Sequence, residues 1–143
     1  MSYEALIYEQ EDGIGIITLN RPERRNALNT VLVGELSRLF DEMAKDEGLR
    51  VVIITGGDKF FCAGFDLKEQ SPTLLDEIRE LYRKLESFDR PVIAAINGSC
   101  LAGGCEMAIS CDLRIAAEDS TFGFHEIRFG ALAFAGATQR LPR

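Results

Sequence analysis

Glu106 and Glu126 are the two carboxylates in this chain whose neighbours would suit them to acid–base chemistry. Glu106 closes the stretch Asn97-Gly98-Ser99-Cys100-Leu101-Ala102-Gly103-Gly104-Cys105-Glu106. Adjacent glycines at a helix start let backbone approach a ligand closely and leave outward-pointing N–H groups. Those donors sit at the positive end of a helix, where negative charge is stabilised. Oxyanion donors beside a carboxylate make a catalytic arrangement. A plain strand-to-helix turn with a glutamate favouring the helix N-terminus has the same pattern. Glu126 lies among aromatics in Phe122-Gly123-Phe124-His125-Glu126-Ile127. Burial there would make it a proton donor near neutral pH; the alternative is an ordinary helix-start glutamate.

A second glycine loop, Lys59-Phe60-Phe61-Cys62-Ala63-Gly64-Phe65-Asp66-Leu67-Lys68, could present further free N–H groups, or could simply be a turn followed by a capping aspartate. Arg21, Arg24 and Arg25 cluster in one loop of an otherwise acidic chain, and with Lys59 and Lys68 they could hold phosphates or merely be solvated. Gly98-x4-Gly103-Gly104 lacks the lysine of a P-loop, and Gly13-x-Gly15 lacks the third glycine of a dinucleotide fold. His125, the sole histidine, has no evident serine or cysteine partner set and reads as structural.

The elements that must position these residues follow from periodicity. Ala5 to Tyr8 and Ile14 to Leu19 read as strands joined at Glu11-Asp12-Gly13. Asn29 or Thr30 caps a helix with the stripe Leu32, Leu36, Leu39, Phe40 and Met43, stopping near Gly48. Val51 to Thr55 is a strand expected to be buried on both faces. Ser71-Pro72 is expected to open a second helix, with Ser71 as cap, Leu74, Ile78, Leu81, Leu85 and Phe88 as its apolar stripe, and a Glu80–Lys84 pair on its exposed side. Strand Val92–Ile96, the Gly-Gly helix and strand Leu113–Ala117 follow. Strands alternating with helices give an α/β architecture with parallel pairings. From Glu106 the chain runs down about 9 helical residues, roughly 13 Å. It returns along about 5 strand residues, roughly 16 Å, which brings Glu126 near the end where Glu106 began.

Composition bounds the rest. The chain has 143 residues, 46% hydrophobic and 27% charged, enough for a real core in one domain. A net charge of −7 argues against a nucleic-acid partner. No segment is apolar for long enough to span a bilayer, and the start lacks the pattern of a signal peptide, so a cytoplasmic location is expected. Cys62, Cys100, Cys105 and Cys111 include no Cys-x-x-Cys pair, so they are read as buried free thiols in a reducing compartment, with no metal site.

Taken in order, these segments resemble the enoyl-CoA hydratase/isomerase (crotonase) superfamily. The matching pieces are Leu19-Asn20-Arg21-Pro22 with Asn26-Ala27-Leu28-Asn29, then Phe61-Cys62-Ala63-Gly64-Phe65-Asp66-Leu67. Arg90-Pro91-Val92-Ile93-Ala94-Ala95-Ile96-Asn97-Gly98, Ala102-Gly103-Gly104-Cys105-Glu106, Cys111-Asp112, Phe122-Gly123 with Glu126, and Thr138-Gln139-Arg140-Leu141 continue the series. The resemblance implies a crotonase-like spiral of β-β-α units spanning residues 1–143, with the family's C-terminal helical part absent. It implies an acyl-CoA thioester as ligand, coenzyme A being part of the substrate and no separate cofactor being needed. The N–H groups of Phe65 and Gly103 would form the oxyanion hole. Glu106 and Glu126 would be the two carboxylates of members that hydrate enoyl-CoA. CoA would be held by Arg24, Arg25, Ala27 and Leu28, by Lys59, and by Ala63, Gly64, Phe65, Asp66, Leu67 and Lys68, with Gly103. A homo-oligomer, a trimer or hexamer in the family, is the expected assembly. Because helices that complete the family's fold are missing, residues from about Gly130 onward are expected to be poorly ordered or rearranged.

Two departures bear on substrate. A proline usually precedes the second glutamate, where this chain has His125. The family's Pro-x-x-Gly-Gly stretch is here Ala133-Phe134-Ala135-Gly136-Ala137. Hydration of an enoyl-CoA is the first reading. The alternatives are isomerisation, thioester hydrolysis or C–C chemistry of the same superfamily, and an inactive acyl-CoA-binding module.

Overall fold

A computed structural model describes residues 2–69 and 71–143; Met1, part of the start read for a signal peptide, lies outside them. The polypeptide opens with an antiparallel hairpin, β1 (Leu6–Glu11) and β2 (Ile14–Leu19). Its turn residues Asp12 and Gly13 both have positive φ, 51° and 82°, as a twist-matched two-residue hairpin requires. That turn lets β1 run to Glu11, three residues past the expected end. A 3-10 turn at Pro22–Arg24 leads to α1 (Thr30–Met43), capped by Asn29, whose Oδ1 accepts from Leu32 N at 3.0 Å. α1 ends at Met43 rather than near Gly48, and hydrogen-bonded turns cover the gap.

The rest is built by repetition. β3 (Val51–Thr55), β4 (Phe60–Cys62) and α2 (Leu74–Glu86) form one unit. β5 (Val92–Ile96), β6 (Ser99–Leu101) and α3 (Gly103–Ser110) form the next. β7 (Leu113–Ala116) and β8 (Thr121–Gly123) begin a third, followed by a 3-10 turn at Glu126–Phe129 and the short α4 (Ala137–Arg140). Each unit adds one strand to each of two sheets, β1-β2-β3-β5-β7 and β4-β6-β8, with every pairing after the hairpin parallel. The expected α/β class with parallel pairings is present. Periodicity did not reveal the strands of the second sheet, because they are only three residues long.

The core lies between the larger sheet and the helices. Leu32, Leu36, Leu39 and Phe40 of α1 and Ile78, Leu81, Tyr82 and Leu85 of α2 are buried, which is the two apolar stripes turned inward. β3 alternates instead of being buried on both faces: Val52 and Ile54 are buried, while Val51, Ile53 and Thr55 are half-buried. α2 starts at Leu74 behind Thr73, not behind Ser71. The Thr73 hydroxyl reaches Glu77 Oε1 at 2.6 Å, and Ser71 Oγ lies 3.1 Å from Thr73 Oγ1. Lys84 does not pair with Glu80. It crosses to Asp41 of α1 at 2.7 Å, and Glu80 pairs with Arg83 at 3.2 Å. An inter-helix acceptor, invisible to spacing along one helix, captured the lysine.

Candidate active site

The two glycine loops meet at one place. Gly64 has φ +91°, and a Cβ there would come within 2.9 Å of Ala102 Cβ and 3.1 Å of Gly103 N. Gly104 packs so tightly that a Cβ would lie 2.3 Å from the Cys62 carbonyl oxygen. The end of β4 and the start of α3 therefore touch backbone to backbone, which only glycine permits. Ala102 adopts φ 48°, ψ −120°, a conformation a non-glycine residue rarely holds. It is fixed there by its N–H bond to the Gly123 carbonyl at 2.7 Å. Strain of this kind is held where surrounding contacts over-determine the backbone. Here it turns the next peptide, Gly103, into the first position of α3.

Leu28 and Phe65 form an isolated parallel bridge: Leu28 N donates to Gly64 O at 2.7 Å and Asp66 N to Leu28 O at 2.8 Å. This leaves the Phe65 N–H between them with no acceptor among the described residues, and the Gly103 N–H at the helix start is likewise free. The Gly103 carbonyl accepts the hydroxyl of the fully buried Tyr82 at 2.5 Å, tying this helix start to α2.

Glu106 sits one turn into α3 and is fully buried. Its Oε1 accepts N–H groups from Ala135 at 2.8 Å and Ala137 at 3.1 Å. Burial pushes its carboxyl above the ordinary value of 4.5; the two backbone donors oppose that, and the neighbouring charge of Glu126 adds to it. Glu106 and Glu126 lie within electrostatic reach of each other, but not by the path expected: α3 ends at Ser110 rather than running about 9 residues past Glu106, and β8 as well as β7 precedes Glu126. Glu126 is also buried, at the start of the 3-10 turn. Among the described residues, the only buried side-chain oxygens or nitrogens without a partner are Glu106 Oε2 and both oxygens of Glu126. Of the segment expected to be rearranged or poorly ordered, the part around Ala135 and Ala137 is packed, both being buried and holding Glu106, whereas Leu132 and Leu141 on either side are exposed.

Glu126 lines a cavity of about 250 Å³ with Phe65, Leu67, Leu101, Phe129 and Phe134, and His125 and Arg25 also reach it. An adjoining groove is lined by Glu23, Arg24, Arg25, Ala27, Phe65, Asp66, Leu67 and Lys68. Lys59 is not with them; it borders a separate depression with Pro22, Asn26 and Asp58. Arg24 is engaged by Asp66 at 3.2 Å, and Arg21 reaches the same carboxylate at 3.1 Å. The Arg25 guanidinium lies 5.3 Å from the Phe60 ring centroid. Asn26 stitches this loop to β4, its Nδ2 donating to Phe60 O at 3.0 Å and Phe61 O at 3.2 Å.

The cysteines are free and buried. Burial pushes the thiols of Cys62 and Cys111 up to about 12, which leaves them unreactive. No group of three or more histidine, cysteine or acidic residues among those described is arranged to hold a metal ion.

The site matches a known framework. Residues 9–143 fit the family described as enoyl-CoA hydratase/isomerase. The chain belongs to that family. It is 42% identical over 143 residues to the 2,3-dehydroadipyl-CoA hydratase of Escherichia coli, covering 96% of this chain and 56% of that protein. It is 40% identical over 151 residues to the crotonyl-CoA hydratase of Syntrophomonas wolfei, covering 100% of this chain and 58% of the relative. The crystal structure of an enoyl-CoA hydratase from Bacillus anthracis superimposes with a TM-score of 0.94 at 38% identity, covering 98% of this chain and 58% of that one. This enoyl-CoA hydratase/isomerase family chain therefore has the crotonase fold and spans rather more than half the length of these relatives. The spiral of β-β-α units expected from the resemblance is the repetition seen in the two sheets.

Several features of this site were beyond sequence reasoning. The strain at Ala102, the Tyr82 hydroxyl and the two N–H groups on Glu106 depend on contacts between residues distant in the chain. The one available signal was the departure at Ala133–Ala137, the stretch that supplies those N–H groups.

Proposed function

We propose that this chain carries the active site of an enoyl-CoA hydratase. The observation that carries the reading is that the unpartnered buried oxygens belong to Glu106 and Glu126, beside two free backbone N–H groups. An unsatisfied buried polar atom costs about 1–3 kcal/mol, so such atoms gather where function needs them. The thioester oxygen accepts from the N–H groups of Phe65 and Gly103. Negative charge builds there as water adds to the β-carbon, and the N-terminal end of α3 stabilises it. Glu106 takes a proton from the water, whose hydroxyl bonds to C3. Glu126 delivers a proton to C2, and the double bond is consumed. Loss of one such donor typically costs about 3–4 kcal/mol of transition-state stabilisation.

The acyl group occupies the apolar cavity, and the groove at Arg24, Arg25 and Lys68 takes the CoA phosphates. Glu126 supplies the chemistry from the cavity wall, and Glu106 from beneath the turn at Ala135–Ala137. The reaction needs no cofactor beyond the CoA of the substrate. No helix of the described residues is long and apolar enough to cross a membrane, and we assign the protein to the reducing cytoplasm, in keeping with its free thiols. Homo-oligomerisation is supported by the edge strand β7, whose Leu113 and Ile115 are 55% and 64% exposed.

The test is a panel of 2-enoyl-CoA thioesters incubated with the protein at its full natural length. Mass spectrometry should show the 3-hydroxyacyl-CoA, one water heavier than the substrate. Accumulation of a shifted-double-bond isomer or of free CoA instead would overturn the hydratase reading.

A further inference from the structure

Phe134 lies in the stretch that departs from the family's pattern, on the turn leading into α4. Its ring stacks on Phe65, with centroids 4.9 Å apart and planes 29° apart. The Arg79 guanidinium from α2 lies 5.1 Å from the same ring's centroid. Arg79 also fixes the backbone, its Nε donating to the Phe134 carbonyl at 3.3 Å, and Asp76 holds Arg79 at 2.9 Å. Phe134 is thus anchored through both ring and main chain. The ring forms part of the cavity wall, opposite no polar partner of its own, together with Leu67, Leu101 and Phe129.

We propose that Phe134 is a specificity-determining residue of this cavity, limiting it to short acyl groups. The inference rests on the cavity being an acyl-CoA site. Two observations support it. The cavity is about 250 Å³, just below the roughly 300–1,000 Å³ usual for small-molecule sites, so the space taken by the Phe134 ring bears directly on the length of acyl chain admitted. The ring is held from two sides, so it cannot swing away without breaking the Phe65 stack and the Arg79 contact. Phe65 is also the residue whose N–H faces the thioester in the proposed mechanism, so the stacked ring lies close to the reacting end of the substrate.

The experiment compares kcat/KM for crotonyl-CoA and trans-2-decenoyl-CoA in the protein at its full natural length. The natural protein should favour the four-carbon substrate by about tenfold or more. Phe134→Ala should shift the ratio toward the ten-carbon substrate by about tenfold or more, since each methylene admitted to an apolar pocket changes discrimination by about tenfold. Arg79→Ala, which frees the ring without removing it, should shift the ratio the same way by less. A natural preference for decenoyl-CoA, or a ratio unmoved by both substitutions, would overturn the proposal. Calorimetry with the unreactive butyryl-CoA and decanoyl-CoA separates the two claims. The same length preference in binding sustains the proposal even if turnover is not hydration. Binding of neither thioester overturns both this proposal and the acyl-CoA reading, and equal binding overturns this proposal alone.

Discussion

Oε1 of Glu106 accepts the backbone N–H of Ala135 at 2.8 Å, with the Ala137 N–H at 3.1 Å on the same oxygen. A carboxylate on α3 is therefore held by a turn near the far end of the chain. Two neutral donors are a weak counterweight to full burial beside a second carboxylate, which is why the Glu106 carboxyl stays above its ordinary 4.5.

That balance has a pH signature. A carboxyl whose folded pKa is raised binds its proton more tightly in the native than in the unfolded state. Its contribution to stability is fully present below 4.5 and is lost as pH rises through the folded value. Glu106→Gln keeps an oxygen for the Ala135 and Ala137 N–H groups and carries no charge. Its melting temperature, relative to the natural protein, should be more favourable at pH 8 than at pH 4. Thermal denaturation at the two pH values checks this, and an unchanged difference would remove the buried charge from the account.

Asp66 should behave in the opposite sense. Burial pushes its carboxyl up, but the Lys68 N–H and the Arg21 and Arg24 guanidinium groups outweigh burial and hold it below 3.8. Its stabilising contribution is therefore present above 3.8 and lost as pH falls through the lower folded value. Asp66→Asn should cost about 1.5–3 kcal/mol at pH 7, the usual worth of hydrogen bonds to a charged group. Urea denaturation should show that deficit closing in strong acid.

The phosphate groove makes a selective prediction. Arg25 and Lys68 border it without an acidic partner at salt-bridge distance among the described residues, whereas Arg24 is engaged by Asp66 and Lys59 lies elsewhere. Arg25→Ala and Lys68→Ala should each weaken free CoA by about three- to fivefold at low salt, with the effect shrinking as salt rises. Arg24→Ala should do less and Lys59→Ala nothing. Isothermal calorimetry reads all four, and a large loss from Lys59→Ala would move the phosphates to the other depression.

Much of this was legible in the residues, for identifiable reasons. α1 announced itself because Asn29 caps it and its stripe repeats at helical spacing. The sense of the chain, down a helix and back along a strand, pointed to the approach of Glu106 and Glu126, although α3 is shorter than the spacing suggested and β8 intervenes. Strands β4, β6 and β8 escaped because three residues carry no periodicity, and each gains its meaning only from pairing with the others. Lys59 was grouped with the arginines by charge, but the chain turns at Phe60–Cys62 before reaching the groove. Lys84 was assigned to its own helix because Asp41 is 43 residues away.

In the proposed mechanism, Glu106 and Glu126 act together in one hydration step, Glu106 on the water and Glu126 on C2. This is tested most directly by the hydration rate of crotonyl-CoA in Glu106→Gln, Glu126→Gln and the double variant, in the protein at its full natural length. Each single variant should be slower by about 10²-fold or more, as expected for losing a general acid or base. The double variant should fall by far less than the product of the two, since residues that act as a unit are not additive. A near-natural rate in either single variant would contradict the two-carboxylate mechanism.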